Sequence, residues 1–291
     1  MTKKEIVMSV VKRIETKLQQ MENISVDEVA AISGYSKRYM QKIFLEVIGM
    51  RISKYIKKRK LTQAAILIKL TKKSIYHIAM DLNYSTQQSF TRAFCQEFKV
   101  SPLQYRLKDE FDCSALFPNY ALNLPPINIK KGNINQLKLK VENFQYQDSL
   151  LKNEYKSRTN KIRFNRITEI LSSKDEAIVV SKFDPKSLLD LNVDLNVMIG
   201  YKDEKSYNYE IKEKKCWIVE YNGTWDDYII FGRFFVCYCD IAFDSFIVEK
   251  IKLKGNNDSC EKIYNSTIYL PIPPPLSKPL LKITLLDDFR Y

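Results

Sequence analysis

The chain has 291 residues, of which 45% are apolar and only 7 are glycine, a composition typical of a folded protein with room for two domains. No apolar run could span a membrane, and the N-terminus lacks a secretion-signal pattern, so a cytoplasmic protein without a membrane partner is predicted. The net charge is +13, and its distribution is uneven. Residues 1–112 hold 21 Lys and Arg against 11 Asp and Glu, whereas residues 113–291 hold 26 against 23. This asymmetry indicates a nucleic-acid-binding module joined to a nearly neutral one, the alternative being a solvated basic surface.

Residue types that build common catalytic and metal sites are scarce. His77 is the only histidine and lies in a helical run, which favours a packing or surface role over acid-base catalysis. The six cysteines form no Cys-x-x-Cys pair, so neither a metal site nor a cofactor is predicted. Cys237 and Cys239 are interpreted as small buried residues, because their side chains would diverge on a helix. The chain is therefore predicted not to be an enzyme.

The first predicted elements form a helix-turn-helix layout. Apolar residues at helical spacing predict an amphipathic helix over residues 4–20. Ser25 is placed to cap a short helix through residue 32, Gly34 supplies a tight turn, and Ser36 caps a second helix to about residue 47. A short helix, a turn with glycine and a second helix is an arrangement that DNA-binding proteins use.

The second helix of this unit has an apolar side and a polar side. The residues expected to make apolar contacts are Tyr35, Tyr39, Ile43, Phe44 and Val47. The residues expected to face DNA are Lys37, Arg38, Gln41 and Lys42. Arg or Lys can bond guanine and Gln can bond adenine in the major groove. The alternative is that these polar residues only solvate the helix.

A second copy of the layout follows a long helix predicted over residues 52–70. Ser74 caps a short helix through residue 82, residues 83–84 make the turn, and Ser85 or Thr86 caps a helix to about residue 98. The polar side of the long helix is expected to hold Lys54, Lys57, Lys58, Arg59 and Lys60. Two such units joined by one helix are a more specific signal than either unit alone.

The last helix of the second unit repeats the division into two sides. Its phenylalanines stand four residues apart on one stripe and are expected in the core: Phe90, Phe94 and Phe98. The residues left toward solvent or DNA are Gln87, Gln88, Thr91 and Arg92.

The motifs of this region resemble a known signature. They are Arg59-Lys60-Leu61, Ala64-Ala65, Ile75-x-x-Ile78-Ala79, Asn83-Tyr84-Ser85, Phe90-x-x-x-Phe94 and Ser101-Pro102-x-x-Tyr105-Arg106. Over residues 4–108 they resemble the DNA-binding domain of the AraC/XylS family of bacterial transcription regulators. The blocks at residues 34–44 and 85–94, with the DNA-binding domain first, are similar to the Rob branch of that family.

The resemblance implies a transcription activator that binds an asymmetric promoter site in double-stranded DNA as a monomer and recruits RNA polymerase. It places base-contacting residues on the first recognition helix at Arg38, Gln41 and Lys42, and on the second at Gln87, Gln88, Ser89, Thr91 and Arg92. Arg38 stands where the Rob branch has Trp, and Lys42 where it has Arg. Because Arg and Lys differ in fork geometry, an altered preferred DNA sequence is expected.

Residues 109–128 are predicted to be a linker, since prolines interrupt any regular pattern. The remainder, residues 129–291, is predicted to be an α+β domain. Alternation from Leu137 onward predicts a strand, and helices are predicted over residues 155–171 and 225–239. The other predicted strands cover residues 177–183, 195–201, 207–211, 215–221, 245–252, 261–270 and 280–287.

Segments at residues 216–228, 260–264 and 278–286 resemble the GyrI-like ligand-binding domain that follows the DNA-binding domain in Rob. The resemblance places an acidic residue, Glu261, in an aromatic-lined cleft, which suits a hydrophobic cationic small molecule. The expected wall residues are Trp217, Tyr221, Trp225 and Tyr264. The alternative is that these aromatic side chains belong to the core.

Taken together, the sequence predicts an all-α double helix-turn-helix domain over residues 1–108 followed by a GyrI-like domain. The first functional hypothesis is a sequence-specific transcription regulator modulated through its second domain. The alternatives are a small-molecule-sequestering protein with only non-specific DNA affinity, and an enzyme acting in the GyrI-like cleft.

Overall fold

The computed structural model describes residues 1–149, 157–186, 188, 191–244, 246–254 and 262–273. Its first part is helical throughout. The helices are α1 (Lys3–Gln19), α2 (Val26–Ser33), α3 (Lys37–Ile48), α4 (Ile52–Leu70), α5 (Ile75–Asp81), α6 (Gln87–Phe98) and α7 (Pro102–Leu107). The pairs α2–α3 and α5–α6 are the two helix-turn-helix units, and α4 joins them.

Short polar side chains begin most of these helices, as predicted. Each cap accepts a hydrogen bond from the backbone amide three residues later, which satisfies one of the free amides of the first turn. The caps of the four helix-turn-helix helices are Ser25, Ser36, Ser74 and Thr86, so Thr86 rather than Ser85 begins α6. The turns need a left-handed residue, supplied by Gly34 (φ 73°) in the first unit and Asn83 (φ 61°) in the second.

The first unit packs in a hydrophobic group of its own, called here the first cluster. Its members come from α1, α2, α3 and the first half of α4, and include Val10, Ile14, Phe44, Ile52 and Tyr55. Ile43 and Phe44 are buried as predicted. Tyr35 and Tyr39, expected to make apolar contacts, are 41% and 39% exposed, and their rings lie against each other with centroids 5.3 Å apart. Tyr35 lies before the first turn of α3, and Met40, which is buried, takes the place next to Tyr39.

The second unit packs in a larger group, called here the main cluster. It includes Leu67 from the second half of α4, Ala79 from α5, the stripe Phe90 and Phe94 from α6, and many residues of the C-terminal module. One predicted surface residue of α4, Arg59, is instead buried, at 5% exposure. Its Nε and Nη2 donate to the two carboxylate oxygens of Glu15 in α1, at 2.8 and 3.0 Å. Burial of this guanidinium is possible because its partner is buried with it.

The C-terminal module is built on antiparallel strands. They are β1 (Phe111–Asp112), β2 (Ile129–Ile134), β3 (Leu137–Ser149), β4 (Ala177–Phe183), β5 (Asn192–Lys202), β6 (Tyr209–Ile211), β7 (Lys214–Gly223), β8 (Ala242–Phe243), β9 (Phe246–Leu253) and β10 (Tyr264–Pro271). Among the described residues, eight strands form one sheet in the order β2-β7-β10-β9-β4-β5-β3-β6, and β1 pairs with β8. Helices α8 (Arg158–Leu171) and α9 (Trp225–Phe234) contribute side chains to the main cluster on one sheet face.

The strand order contains an internal repeat. The units β3-α8-β4-β5 and β7-α9-β9-β10 follow the same order of elements along the chain, apart from the residues 235–243 between α9 and β9, which hold a 3₁₀ turn and β8. In the sheet they meet at β4 and β9, which pair antiparallel with Ser181 opposite Ile247, and their first strands lie farther out. Each unit therefore contributes one helix to the covered sheet face, and the central strand pair runs between these two helices.

The predicted linker is packed rather than free. Phe111, Cys113 and Leu116 are buried in the main cluster, and Phe117 and Tyr120 pack against the first cluster. Arg59 Nη1 also donates to the carbonyl of Phe117. Residues 109–128 thus tie both halves of the helical module to the sheet.

The predicted helix over residues 225–239 is shorter than expected. The α-helix ends at Phe234, and Phe235–Tyr238 continue as a tighter 3₁₀ turn. Cys237 and Cys239 are buried, as predicted. The predicted strand over residues 280–287, and Glu261 at the start of another, lie outside the described residues.

Candidate functional site

The first candidate interface is the outer side of α3. Lys37, Arg38, Gln41 and Lys42 are all exposed, while Met40, Ile43 and Phe44 on the opposite side are buried. Lys37 forms an ion pair with Asp27 of α2 at 2.7 Å, with both side chains mostly in solvent. Such a pair contributes little to stability, so Lys37 can exchange its partner for a phosphate at small cost.

The second candidate interface is the outer side of α6. Gln87, Gln88 and Arg92 are exposed, and Ser89 and Thr91 are half-buried. The Ser89 hydroxyl donates to the carbonyl of Thr86 at 2.8 Å, and its backbone amide donates to the Thr86 hydroxyl. Ser89 is therefore engaged in the helix start, whereas the two glutamines and Arg92 are accessible from solvent.

Lysines of α4 lie between the two interfaces along the chain. Lys54 and Lys57 are exposed, and Lys57 Nζ donates to Gln96 of α6 at 3.0 Å. Lys58 is half-buried and forms an ion pair with Glu97, which also lies in α6. These contacts fasten the joining helix to the second recognition helix.

A cavity lies where α4 meets the C-terminal module. Its volume is about 130 Å³. Elements of the C-terminal module that line it include α8, α9, the central strands β4 and β9, and β3. Ile66 and Leu70 of α4 also line it, so the cavity is called here the interdomain pocket. Most of the lining side chains are apolar.

An ion pair sits in the wall of this pocket. Arg163 of α8 donates through Nη2 to both carboxylate oxygens of Glu249 in β9, at 2.6 and 2.5 Å. Tyr228 of α9 donates to the same carboxylate and accepts from Ser266 at 2.8 Å. Burial alone would lower the pKa of Arg163, but the Glu249 charge raises it above its ordinary value. Burial, followed by the Glu249 charge, raises the pKa of Tyr228 well above its ordinary value.

A second pair lines the same pocket. Arg233 of α9 lies 2.5 Å from the carboxylate of Asp148 in β3, and both side chains are about one-tenth exposed or less. The lining therefore holds two positive and two negative side chains. Its formal charge is balanced among the described residues, which do not include Glu261.

The predicted aromatic wall is only partly assembled. Trp225 and Tyr264 have ring centroids 5.7 Å apart, and the rings of Tyr221 and Tyr228 are tilted against each other with centroids 5.1 Å apart. Tyr221 and Tyr264 are buried in the main cluster, and neither lines the interdomain pocket. Trp225 borders a shallower depression beside α8. Trp217 lies four residues from Tyr221 along β7, where its Nε1 donates to the carbonyl of Ala242.

Glu249 was missed by the sequence analysis, although a signal was present. Strand side chains alternate between faces, so Ile247, Glu249 and Ile251 share one face of β9. A carboxylate flanked on the same strand face by two apolar residues, two positions before and two after it, indicates a buried charge with a partner. Nothing in the local pattern identifies Arg163 as that partner, because it stands 86 positions away.

The described part of the chain offers few alternative sites. No group of three or more His, Cys, Asp and Glu side chains there is arranged to hold a metal ion. None of the described helices is both long and apolar enough to cross a membrane.

Known proteins match the helical module most strongly. A sequence profile described as a helix-turn-helix domain matches residues 15–108. The HTH-type transcriptional regulator YkgA of Escherichia coli is 31% identical over 189 residues, spanning 64% of this chain and 78% of that protein. The F1 operon positive regulatory protein of Yersinia pestis is 28% identical over a region that spans 88% of this chain and 86% of that protein. The regulatory protein SoxS of Salmonella typhimurium is 40% identical over 106 residues, which are 36% of this chain and 97% of SoxS.

Proposed function

Because the chain belongs to the AraC/XylS family of transcription regulators, we propose that it recognises an asymmetric promoter site in double-stranded DNA and activates transcription there. The observation that supports this most is the pair of capped helices, α3 and α6, which bury an apolar side and expose polar side chains able to read bases. The domain boundaries proposed for this function are 1–108 for DNA binding and 129–291 for regulation.

We assign base contacts to the exposed side chains of the two recognition helices. On α3 these are Arg38, Gln41 and Lys42, with Lys37 on a phosphate; on α6 they are Gln87, Gln88, Thr91 and Arg92. Ser89 stays a predicted base contact as the resemblance places it, although its backbone amide and its hydroxyl both donate to Thr86 and would have to exchange that partner for DNA. The bidentate partners of Arg and Gln in the major groove are guanine and adenine.

The chain is proposed to bind as a monomer, because it already holds two recognition helices. The two helices would enter successive major grooves on one DNA face, with centres one helical turn, about 34 Å, apart. Inserting half a helical turn of DNA between the two half-sites is expected to weaken specific binding at least tenfold. Unchanged affinity would mean that only one helix reads bases.

A footprint on genomic DNA at physiological salt tests the central proposal. A discrete protected region is expected, since base contacts add to the non-specific phosphate contribution. Uniform weak retention without a protected site would instead favour the alternative of a small-molecule-sequestering protein. A genome-wide binding map would then supply the sites for the insertion experiment.

Activation through RNA polymerase and a cytoplasmic location complete the proposal. They rest on the resemblance to the AraC/XylS family and on the named relatives, which are a transcriptional regulator, a positive regulatory protein of an operon and a regulatory protein. Transcription in vitro from a mapped promoter, with and without the protein, is expected to rise when it is added. Reduced transcription from every mapped promoter would mean that the protein acts as a repressor and not as an activator.

The second module is proposed to be a GyrI-like regulatory domain. Its two β-α-β-β units, which meet at β4 and β9, support a ligand cleft between α8 and α9. The role of Glu261 with a hydrophobic cation stays a prediction. Titration of the full chain with a hydrophobic cation, wild type against Glu261→Gln, tests it, and equal binding to both proteins would return Glu261 to a surface charge.

A further inference from the structure

Leu45 lies in the middle of the outward side of α3, directly opposite the buried side of that helix. It stands three residues after Lys42 and seven after Arg38, so the three side chains share one face. It is 48% exposed, and the hydrophobic clusters of the described residues do not include it. Single exposed leucines are common on protein surfaces, so its position on this face says more than its exposure.

The second helix-turn-helix unit has a similar pattern. Helices α3 and α6 both have 12 residues and begin 50 positions apart, so the buried Phe44 and Phe94 are equivalent. The position equivalent to Leu45 is Cys95, which is half-buried and also uncharged. In both units the outward face is therefore polar in its first two turns and less polar in the third.

The outward face of α3 is long enough to follow about three base pairs. Seven residues separate Arg38 from Leu45, which is about 10 Å along a helix that rises about 1.5 Å per residue. Base pairs are stacked about 3.4 Å apart. Gln41, one turn before Leu45, is proposed to contact adenine, and the thymine paired with that adenine presents its methyl group in the same groove. Leu45 is thus placed to reach a thymine methyl opposite or beside that adenine.

The polar side chains of this face are poorly suited to read that methyl group. Arg38 and Lys42 only donate hydrogen bonds, which suits guanine and phosphate. The methyl group of thymine is recognised by apolar contact, and Leu45 is the aliphatic side chain on this face. Removing one methyl group from water changes an affinity by about fourfold.

We propose that Leu45 reads the methyl group of a thymine in the half-site bound by α3, and so adds a base preference that the polar side chains do not supply. This inference rests on the proposed function, since it needs α3 to lie in the major groove. An apolar contact neutralises no phosphate, so its contribution to affinity is expected to be the same factor at every salt concentration.

Replacing thymine by uracil tests the contact, because it removes the methyl group and leaves the base pairing unchanged. Each thymine of a mapped protected site is replaced in turn, and binding of the full chain is measured on the parent and substituted duplexes. For the wild type, one uracil is expected to lower the affinity about three- to fivefold. Leu45→Ala is expected to lose a similar factor on the parent duplex and to lose nothing further from that uracil.

Two variants and the salt dependence separate this contact from helix packing. Leu45→Met keeps an apolar side chain, so it is expected to bind within about twofold of the wild type and to keep the sensitivity to uracil. Leu103→Ala truncates a leucine of α7 that is 57% exposed, and it is expected to change neither affinity nor uracil sensitivity. The salt slope of Leu45→Ala is expected to equal that of the wild type.

The outcomes distinguish this inference from the proposed function. A discrete site at which the wild type binds every uracil duplex as tightly as the parent would overturn the reading by Leu45 and leave the proposed function standing. A Leu45→Ala variant as sensitive to uracil as the wild type would do the same, since another side chain would then contact the methyl group. A salt slope lowered by about one would also overturn it, because Leu45 would then support a phosphate contact. The absence of any discrete site would overturn the proposed function and this inference with it.

Discussion

The two helix-turn-helix units have the same layout but different surroundings. The first packs around Phe44 in a cluster limited to α1–α4 and the segment after α7. The second packs around Phe94 in the cluster that also fills the helix-covered face of the sheet. The difference teaches that similar helix-turn-helix units need not share one stability, because one is continuous with the C-terminal module and the other is attached to it.

The exposed faces of the two units differ as well. On α3 the outward residues Lys37, Arg38 and Lys42 are cationic beside one glutamine, whereas α6 offers two glutamines and Arg92. The first unit is thus expected to supply more phosphate attraction and the second more hydrogen-bond reading.

The largest expected effect is a matched pair of core truncations. Phe44→Ala and Phe94→Ala each remove a fully buried ring and should lower the free energy of unfolding by about 3 to 5 kcal/mol. Both tryptophans of the chain, Trp217 and Trp225, lie in the C-terminal module and report its unfolding by fluorescence. Phe94→Ala should shift that fluorescence transition, and Phe44→Ala should leave it in place.

Far-ultraviolet circular dichroism supplies the control for this pair, because it follows the helices of both units. Phe44→Ala is expected to split the unfolding curve, with a helical loss before the tryptophan transition. Identical fluorescence shifts in both variants would show that the two clusters unfold as one.

The buried pair between α1 and α4 gives the next effect. Glu15→Gln leaves the Arg59 guanidinium buried without its counter-charge, and a loss of about 3 kcal/mol in unfolding free energy is expected. Glu22→Gln is the control, since its contact with Lys17 is half in solvent and should matter by less than about 0.5 kcal/mol. Chemical denaturation measures both, and equal small losses would mean that Arg59 finds another acceptor.

Base reading is predicted for α3 and phosphate contact for α4, and two variants separate them. Gln41→Ala is expected to cost roughly 1 to 3 kcal/mol on the best DNA site and to relax preference at one base pair. Lys57→Ala should weaken all sequences alike and lower the salt slope by about one. Binding is measured on specific and random duplexes at several salt concentrations. Equal losses for Gln41→Ala on both duplexes would remove Gln41 from the recognition surface.

The two turns give the smallest contrast. Gly34→Ala forces a side chain into the left-handed region and should destabilise the first unit by about 1 kcal/mol, although the new Cβ meets nothing within 4 Å. Asn83→Gly relieves that strain but loses the hydrogen bond from Nδ2 to the carbonyl of Met21, so a net change within about 0.5 kcal/mol is expected. Thermal unfolding measures the stability lost in each variant. A larger loss of stability in Asn83→Gly than in Gly34→Ala would mean that the lost hydrogen bond outweighs the relieved backbone strain.

Much of the helical module could be read from local signals. Caps such as Ser36, the turn at Gly34 and the stripe of Phe90 and Phe94 act within a few residues, so α1 to α6 were predicted close to their bounds, whereas the short α7 was not predicted. The exposed polar side of each recognition helix follows from the same periodicity. The exposure of Tyr39 was not predictable in this way, because a helix position between two faces is decided by what packs against it; Met40, the next residue, is the one that is buried.

The sequence by itself determined the two helix-turn-helix units, the alternating strand from Leu137 and the buried state of Cys237, because these depend on spacing along the chain. Only the tertiary structure decided which charges meet and where a cavity remains. Glu15 pairs with Arg59 across 44 positions and Glu249 with Arg163 across 86, through elements whose relative placement no local pattern specifies. A buried charge needs a partner, and any element that the fold brings close can supply it. The sequence therefore predicts that a partner exists but does not identify which residue it is.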